Sequence, residues 1–394
     1  MSLIGTFWQT LGGILLSSLI TMPAWAALSL AEMNSIAKQT TVLIAPSLTQ
    51  DLLDDLENNR NNPNAAERNQ EGLWNPGSGV IIAKDGNRYY VLTVTHNFRQ
   101  RHLDQGLTYG IRTSDRKVHK VQSLNDGRGC PLNASPSLQE KLVRFGCYSR
   151  EVEGRVAGVD LAIVSFDSDQ TYPVAQIGNT EEVQIGEKIY ISGWPDPEKE
   201  KNPINQECNG RVARRERRLA WGPMEARIDP QSGPNGYSLF YLDKTRPGMS
   251  GGPVFDAEGR VIGIHGRGSG QKKERQKFDG YCSTLRAVVN PPNRLSTSDP
   301  TELSSYYSSA QNFNYFLNLL QNRNLNFLFN RNPLPQTIIQ SQITSIPQSE
   351  EESGFYDDPT DVVENIYQSF SGIETRLRDN SSTGCEWFLG GDCD

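Results

Sequence analysis

Metal-binding signatures are missing from this 394-residue chain, which has four histidines, six cysteines, no CxxC pair, and neither an HExxH helix nor an EF-hand loop. His102 and His119 stand in polar stretches without ligand spacing, so no metal and no cofactor is expected. A broad basic face is missing too. The formal charge is −7, and the last fifty residues hold twelve Asp/Glu against two Arg, which leaves the preceding body slightly basic and argues against nucleic acid as a partner. Charge of either sign is absent from residues 2–31, which carry "ILLSSLITM" and then Ala24-Trp25-Ala26 before Ala27. That pattern reads as an export signal over residues 1–26. Because its start lacks Lys and Arg and the uncharged run could span a bilayer, an uncut N-terminal anchor is the alternative. Both place the rest of the chain outside the cytoplasm, in a periplasmic or extracellular setting.

The cysteines (Cys130, Cys147, Cys208, Cys282, Cys385, Cys393) are even in number and fit an oxidising compartment. Their order suggests the pairs Cys130–Cys147, Cys208–Cys282 and Cys385–Cys393, although spacing alone does not choose among the possible pairings. Oligomeric state is left open by the sequence.

From about residue 36 to 292, short β-branched or aromatic runs alternate with Gly, Pro, Asn and Asp: "TVLIA", "SGVIIAK", "RYYVLTV", "LAIVSF", "KIYISGW", "YSLFYL", "GGPVF", "RVIGIHG". Regular short strands with turn signals argue an all-β barrel or sandwich. The Asn-rich stretch 50–72 reads as an inserted helix plus loop, and residues 168–187 as a linker between two β units. Residues 301–323 read as a closing helix. Residues 324–394 form an acidic, low-complexity tail with the composition of disorder. Within it Asp358-Pro359 opens an apolar repeat at helical spacing, an amphipathic helix over 359–378 that docks on its own domain or, alternatively, on a partner. The five arginines of "NGRVARRERRLAW" (209–221) are expected to solvate the outer face of a strand.

Acyl transfer at neutral pH needs a nucleophile, a base for its proton, a group that fixes the base's tautomer, and donors for the oxyanion. "RPGMSGGPVFD" sets Ser250 among glycines, where the N–H groups of Gly248 and Ser250 can converge beside the hydroxyl. "YYVLTVTHNF" delivers His96 at a strand end, and "GVDLAIVSF" puts Asp160 at a strand start. On these motifs, in the order His96, Asp160, Ser250, residues 36–323 resemble the trypsin-like, chymotrypsin-fold serine peptidases, especially bacterial HtrA-type proteases and glutamyl endopeptidases. The resemblance implies two six-stranded antiparallel barrels, at about 36–168 and 184–292, within one peptidase domain, 27–323. It also implies Ser250 as nucleophile, His96 as general base and Asp160 as its orienter.

Three departures stand out. Thr95 replaces the family's usual alanine and crowds a tight spot. Met249 replaces an acidic residue, so activation by its ion pair with a new N-terminus is not available. Gly266 replaces a serine that in many relatives helps hold the aspartate, which leaves Asp160 in want of another donor.

By the same resemblance His265, fifteen residues after Ser250, and Thr245, five before it, line the primary pocket and grip an acidic side chain. Lys244 adds positive charge there, and the backbone of Gly266 to Gly268 pairs with an extended peptide, the glycines leaving room for it. The chain therefore reads as an exported serine endopeptidase acting on protein or peptide substrates, with cleavage after Glu or Asp as the favoured specificity. The alternative is an inactive protease-like module that binds extended peptides.

Overall fold

Strands whose two faces are both buried need apolar residues at consecutive positions, and the runs in this chain meet that demand. The computed structural model describes residues 27–51, 76–121, 141–148, 156–195, 215–268, 275–277, 284–286, 297–325, 327, 329 and 354–363. Seven strands make the first sheet: β1 (Thr41–Pro46), β2 (Gly77–Asp85), β3 (Arg88–Thr93), β4 (Tyr109–Arg112), β5 (Val118–Val121), β6 (Leu142–Tyr148) and β7 (Val156–Asp167), in the order β5-β4-β1-β2-β3-β7-β6. The second holds β8 (Lys188–Gly193), β9 (Arg215–Arg227), β10 (Tyr237–Tyr241), β11 (Pro253–Phe255) and β12 (Val261–Arg267). A short hairpin, β13 (Arg275–Lys277) and β14 (Thr284–Arg286), stands apart, and β15 (Ser308–Asn312) and β16 (Gly354–Val363) return to the second sheet. Every named strand pairing is antiparallel, and the β10–β9 and β11–β8 pairings close β8, β9, β10, β15, β12 and β11 into a six-stranded ring. The architecture is all-β, a two-barrel chymotrypsin-like fold. It differs from the expected six strands per barrel in the seven-stranded first sheet and in β16, which lies outside the second ring.

Alternation along the strands sorts side chains into separate cores. On β7, Ala162, Val164 and Phe166 fill the first barrel, while Leu161 and Ile163 join Leu219, Trp221, Phe255 and Ile264 in a core between the barrels. Ile191, Leu239, Val254 and Ile262 fill the second barrel. Helix α1 (Leu30–Thr40) adds Met33 and Ile36 to the inter-barrel core and is started by a Ser29–Glu32 capping box. Among the described residues no helix is long and apolar enough to cross a membrane, and residues 1–26 lie outside them.

Three sequence expectations are corrected. The closing helix over 301–323 is divided into α3 (Pro300–Tyr306), β15 and α4 (Phe313–Asn322), after a short α2 (Gln100–Asp104) earlier in the chain. β15 escaped notice because its buried residues are polar: Ser308 Oγ donates to Asp243 at 2.9 Å and Gln311 Nε2 to the Asp160 carbonyl at 2.8 Å. The expected helix from 359 begins instead as strand β16, which pairs Asp357 with Arg218 and Asp358 with Arg217 on β9. The rest of that helix lies outside the described residues, as do most of the insertion at 50–72 and five of the six cysteines; Cys147 is buried on β6, and no described cysteine is free.

Nor do Arg217 and Arg218 solvate an outer face. Both are buried, Arg217 completely. Its guanidinium donates to Asp358 Oδ2 at 2.9 Å, to Asn34 Oδ1 on α1 and to Ser192 Oγ at 3.1 Å. Arg218 grips both carboxylate oxygens of Asp357, at 2.6 and 2.8 Å. A buried ion contributes to the fold only while its partner remains, so losing one member costs far more than losing an exposed pair. Asp358→Ala should therefore lower the unfolding free energy by about 3–5 kcal/mol. Arg217→Met in the same chain should recover most of that in urea titrations, whereas Arg88→Ala, at an exposed pair, should cost less than about 1 kcal/mol.

Candidate active site

Strand β3 ends at Thr93, and after Val94 the chain turns through a single 3-10 turn, Thr95–Asn97. Each residue of that turn reaches a different anchor. Thr95 Oγ1 donates to the Leu161 carbonyl at 2.6 Å, so the hydroxyl ties the turn to β7 rather than merely crowding it. The His96 N–H donates to Asp160 Oδ1 at 3.0 Å, and His96 Nδ1 lies 2.7 Å from Oδ2. Asn97 Nδ2 donates to the Ser250 carbonyl at 3.0 Å.

Asp160 is buried at the point where β7 enters the inter-barrel region. Burial pushes its carboxyl up, but His96, the Arg267 charge and the Tyr237 hydroxyl together hold it below the usual carboxylate range. An ionised carboxylate only accepts hydrogen bonds, so Nδ1 of His96 carries the proton and Nε2 is left as the basic nitrogen. The donor that Gly266 cannot supply comes from β10: Tyr237 Oη donates to Asp160 Oδ2 at 2.8 Å.

Ser250 follows a turn in which the Met249 N–H donates to the Arg246 carbonyl at 3.1 Å. Pro247 at its second position and Gly248 at φ 93° at its third are the signature of a type II turn. Met249 is fully buried with Ile191, Val254 and Ile262, so apolar packing holds the turn where an ion pair is unavailable. Ser78 on β2 fastens the turn from the other barrel: its N–H donates to the Ser250 carbonyl at 2.7 Å and its hydroxyl to the Gly248 carbonyl at 3.0 Å. Among the hydrogen bonds of the described residues, the N–H groups of Gly248 and Ser250 take no part. The Ser250 hydroxyl donates to the Gly266 carbonyl at 3.3 Å, not to His96.

His265 is buried on β12, with Nδ1 2.8 Å from Tyr241 Oη. Burial, and then the neighbouring His96, lowers its pKa to about 3. Of its expected partners, the Thr245 hydroxyl donates to Asp243 at 3.0 Å, and Lys244 is exposed. A Cβ on Gly266 would stand 2.0 Å from Tyr237 Oη. At Gly268 a Cβ would meet nothing within 4 Å, so that position is open. His102 and His119 are occupied elsewhere, against the hydroxyls of Tyr109 and Tyr172.

A two-barrel fold in which a buried aspartate holds a part-buried histidine, with a glycine-flanked serine tied to the same turn, defines the architecture of a trypsin-like serine peptidase. Residues 77–264 match the family described as "Trypsin-like peptidase domain", and this stretch is such a domain, resembling those of the HtrA proteases. The chain is 22% identical over 254 residues to "Serine protease Do-like HtrA" of Lactobacillus helveticus, covering 64% of this chain and 49% of that protein. It is 25% identical over 190 residues to "Serine protease Do-like HtrA" of Bacillus subtilis, covering 48% of this chain and 32% of that one. The chain thus spans half or less of the curated relatives it matches. A solved structure, "HtrA-type protease AlgWS227A with decapeptide", aligns over 75% of this chain and 66% of its own at 18% identity, with a TM-score of 0.37.

Sequence reasoning missed Ser78, Asn97, Gln311 and Tyr237. Asn97 is adjacent to His96 and Ser78 lies in a Gly-Ser-Gly strand start, but only the barrel-to-barrel pairing shows what each grips. For His265 the sign follows from its lowered pKa. Unfolded, an imidazole with a pKa of 6.5 binds a proton that the folded site refuses down to about 3, so this stability is complete above 6.5 and drains away as pH falls toward 3. Between pH 7.5 and 5 the wild type should lose about 2 kcal/mol more unfolding free energy than His265→Gln, read from urea titrations at the two pH values.

Proposed function

We propose that the chain is an exported serine endopeptidase that hydrolyses peptide bonds through an acyl-enzyme on Ser250. The observation that carries the reading is the His96–Asp160 pair, Nδ1 to Oδ2 at 2.7 Å, joined through Asn97 to the carbonyl of Ser250 itself. In the reaction the Ser250 hydroxyl leaves the Gly266 carbonyl for His96 Nε2. It gives up its proton there as Oγ bonds to the scissile carbonyl carbon. The oxyanion that forms meets the N–H groups of Gly248 and Ser250. Collapse breaks the C–N bond, His96 returns the proton to the leaving amine, and a water activated by the same imidazole releases the acyl group and restores Ser250.

Export is supported by the uncharged N-terminal stretch ending in Ala24-Trp25-Ala26 and by the even cysteine count. Specificity for Glu or Asp belongs to the same proposal and is supported by His265. With Nδ1 on Tyr241, its Nε2 is the remaining ring nitrogen for a substrate. Thr245, turned to Asp243, and exposed Lys244 lend it less. One observation favours the rival reading, a module that binds peptides without cutting them: the bond from the Ser250 hydroxyl to the Gly266 carbonyl.

A fluorophosphonate probe separates the two. The mature wild-type protein should be labelled and Ser250→Ala should not; equal silence from both would leave the binding module as the better account. In a peptide-library digest, cleavage should fall mainly after Glu and Asp. His265→Ala should reduce acidic cleavage at least about tenfold more than it reduces labelling, since an acidic side chain in the pocket loses its polar partner. Cleavage chiefly after Lys, Arg or large apolar residues would remove the acidic specificity while leaving the peptidase intact.

A further inference from the structure

We propose that Tyr237 is the positioning residue that holds Asp160 in register with His96, and that Gly266 is glycine because the Tyr237 phenol occupies the place a side chain there would need. The inference rests on the reading of His96, Asp160 and Ser250 as the reacting machinery and adds a fourth member to it. Tyr237 begins β10 and is fully buried. Its Oη lies 2.8 Å from Asp160 Oδ2, the same oxygen that faces His96 Nδ1 at 2.7 Å, while Oδ1 receives the His96 N–H at 3.0 Å. The carboxylate can only accept, so the phenol donates.

Sterics make the assignment specific. A Cβ on Gly266 would stand 2.0 Å from Tyr237 Oη and 2.7 Å from both Cε1 and Cζ. A serine at 266 and a tyrosine at 237 are therefore mutually exclusive ways of bringing a hydroxyl to this region, and the chain has the second. The ring is held from outside by the Arg267 guanidinium, 4.8 Å from its centroid. Burial, and then the adjacent Asp160, keeps the phenol protonated far above the pH at which a peptidase works.

Two consequences follow for the reaction. With three donors on two oxygens, the carboxylate cannot rotate away from the imidazole. The phenol also shares Oδ2 with His96, so its loss would concentrate the carboxylate's charge on the imidazole and raise the proton affinity of His96. The other charged or titratable groups facing the pair are Arg267, whose charge helps hold the Asp160 carboxyl down, and His265, which stays neutral above about pH 3. The acid limb of a rate profile therefore reports the His96–Asp160 pair.

The test uses the full mature chain. Tyr237→Phe keeps the ring and removes only Oη. Its kcat should fall about ten- to hundredfold, the fold-change of one hydrogen bond to a charged group, with KM within about twofold. The acid limb of kcat/KM should move to higher pH. Rescue supplies the second arm. Gly266→Ser alone should be impaired by its clash with Tyr237. In a Tyr237→Leu background, Gly266→Ser should recover about tenfold in kcat and Gly266→Ala should not, since only serine returns a donor to the carboxylate. Wild-type kcat and an unmoved acid limb in Tyr237→Phe would overturn the proposal, as would equal recovery by serine and alanine. Should the leucine background not fold, the Tyr237→Phe profile alone decides. Failure of the wild type to label with fluorophosphonate would instead overturn the peptidase reading, so the two failures are distinguishable.

Discussion

The carbonyl of Ser250 is where the two barrels are locked together, and the geometry of the site depends on it. It accepts the Ser78 N–H at 2.7 Å and Asn97 Nδ2 at 3.0 Å, both from the first barrel. Asn97 is the neighbour of His96, so one set of bonds fixes the Ser250 turn and the imidazole relative to each other. The approach leaves no room for side chains. A Cβ on Gly251, already at φ 88°, would stand 2.1 Å from the Ser78 carbonyl oxygen, and one on Gly77 would stand 2.2 Å from Asn97 Nδ2. The glycines of "MSGGP" and of "GSG" at 77–79 are therefore matched to one another across the barrel junction. Inside a low-dielectric contact such bonds are stronger than in water, and any of them left unmade is correspondingly costly.

A second constraint reaches the same turn from behind. β9 pairs with β8 from Arg218 to Pro223; its later residues pair with β10, and β16 takes the edge left by its first half. The register sets two acids against two arginines, Asp357 opposite Arg218 and Asp358 opposite Arg217. A slip of one residue would place a buried arginine without its carboxylate, so the ion pairs select the register even though their net stabilisation is small after desolvation. Arg218 also donates to the Lys244 carbonyl at 3.2 Å, in the segment that leads to Arg246 and the type II turn. A strand from the acidic C-terminal stretch is thus mechanically continuous with the loop carrying Ser250.

How far the sequence could be read follows from which forces act locally. The barrels were legible because paired apolar strands with both faces buried leave dense runs, and His96, Asp160 and Ser250 because each sits in a short motif. Helix α1 was legible in principle through Ser29 and Glu32 but was overshadowed by the export signal before it. What stayed hidden depends on partners far along the chain. β15 has no apolar alternation, since Ser308 and Gln311 are satisfied by Asp243 and Asp160. The arginines of β9 looked like a solvated face, because the carboxylates that bury them lie about 140 residues later. Tyr237 looked like one more aromatic strand residue, and only the empty side chain at Gly266 hinted that a hydroxyl had to arrive from elsewhere.

The surroundings of His265 show why a position found by counting is not yet a specificity. An imidazolium there would attract a carboxylate strongly, but burial and the adjacent His96 keep the ring neutral in the free protein. With Nδ1 against Tyr241, the neutral ring has Nε2 left for a substrate and offers it no charge. An acidic side chain entering beside it would itself lower the cost of protonating the ring, since an opposite charge within a few ångströms favours the charged form. Acidic recognition at this position would then consist of substrate and proton binding together, each raising the affinity for the other. A neutral substrate side chain would gain nothing from the proton. Discrimination would reside in that coupling, and not in Lys244, whose charge stands in solvent.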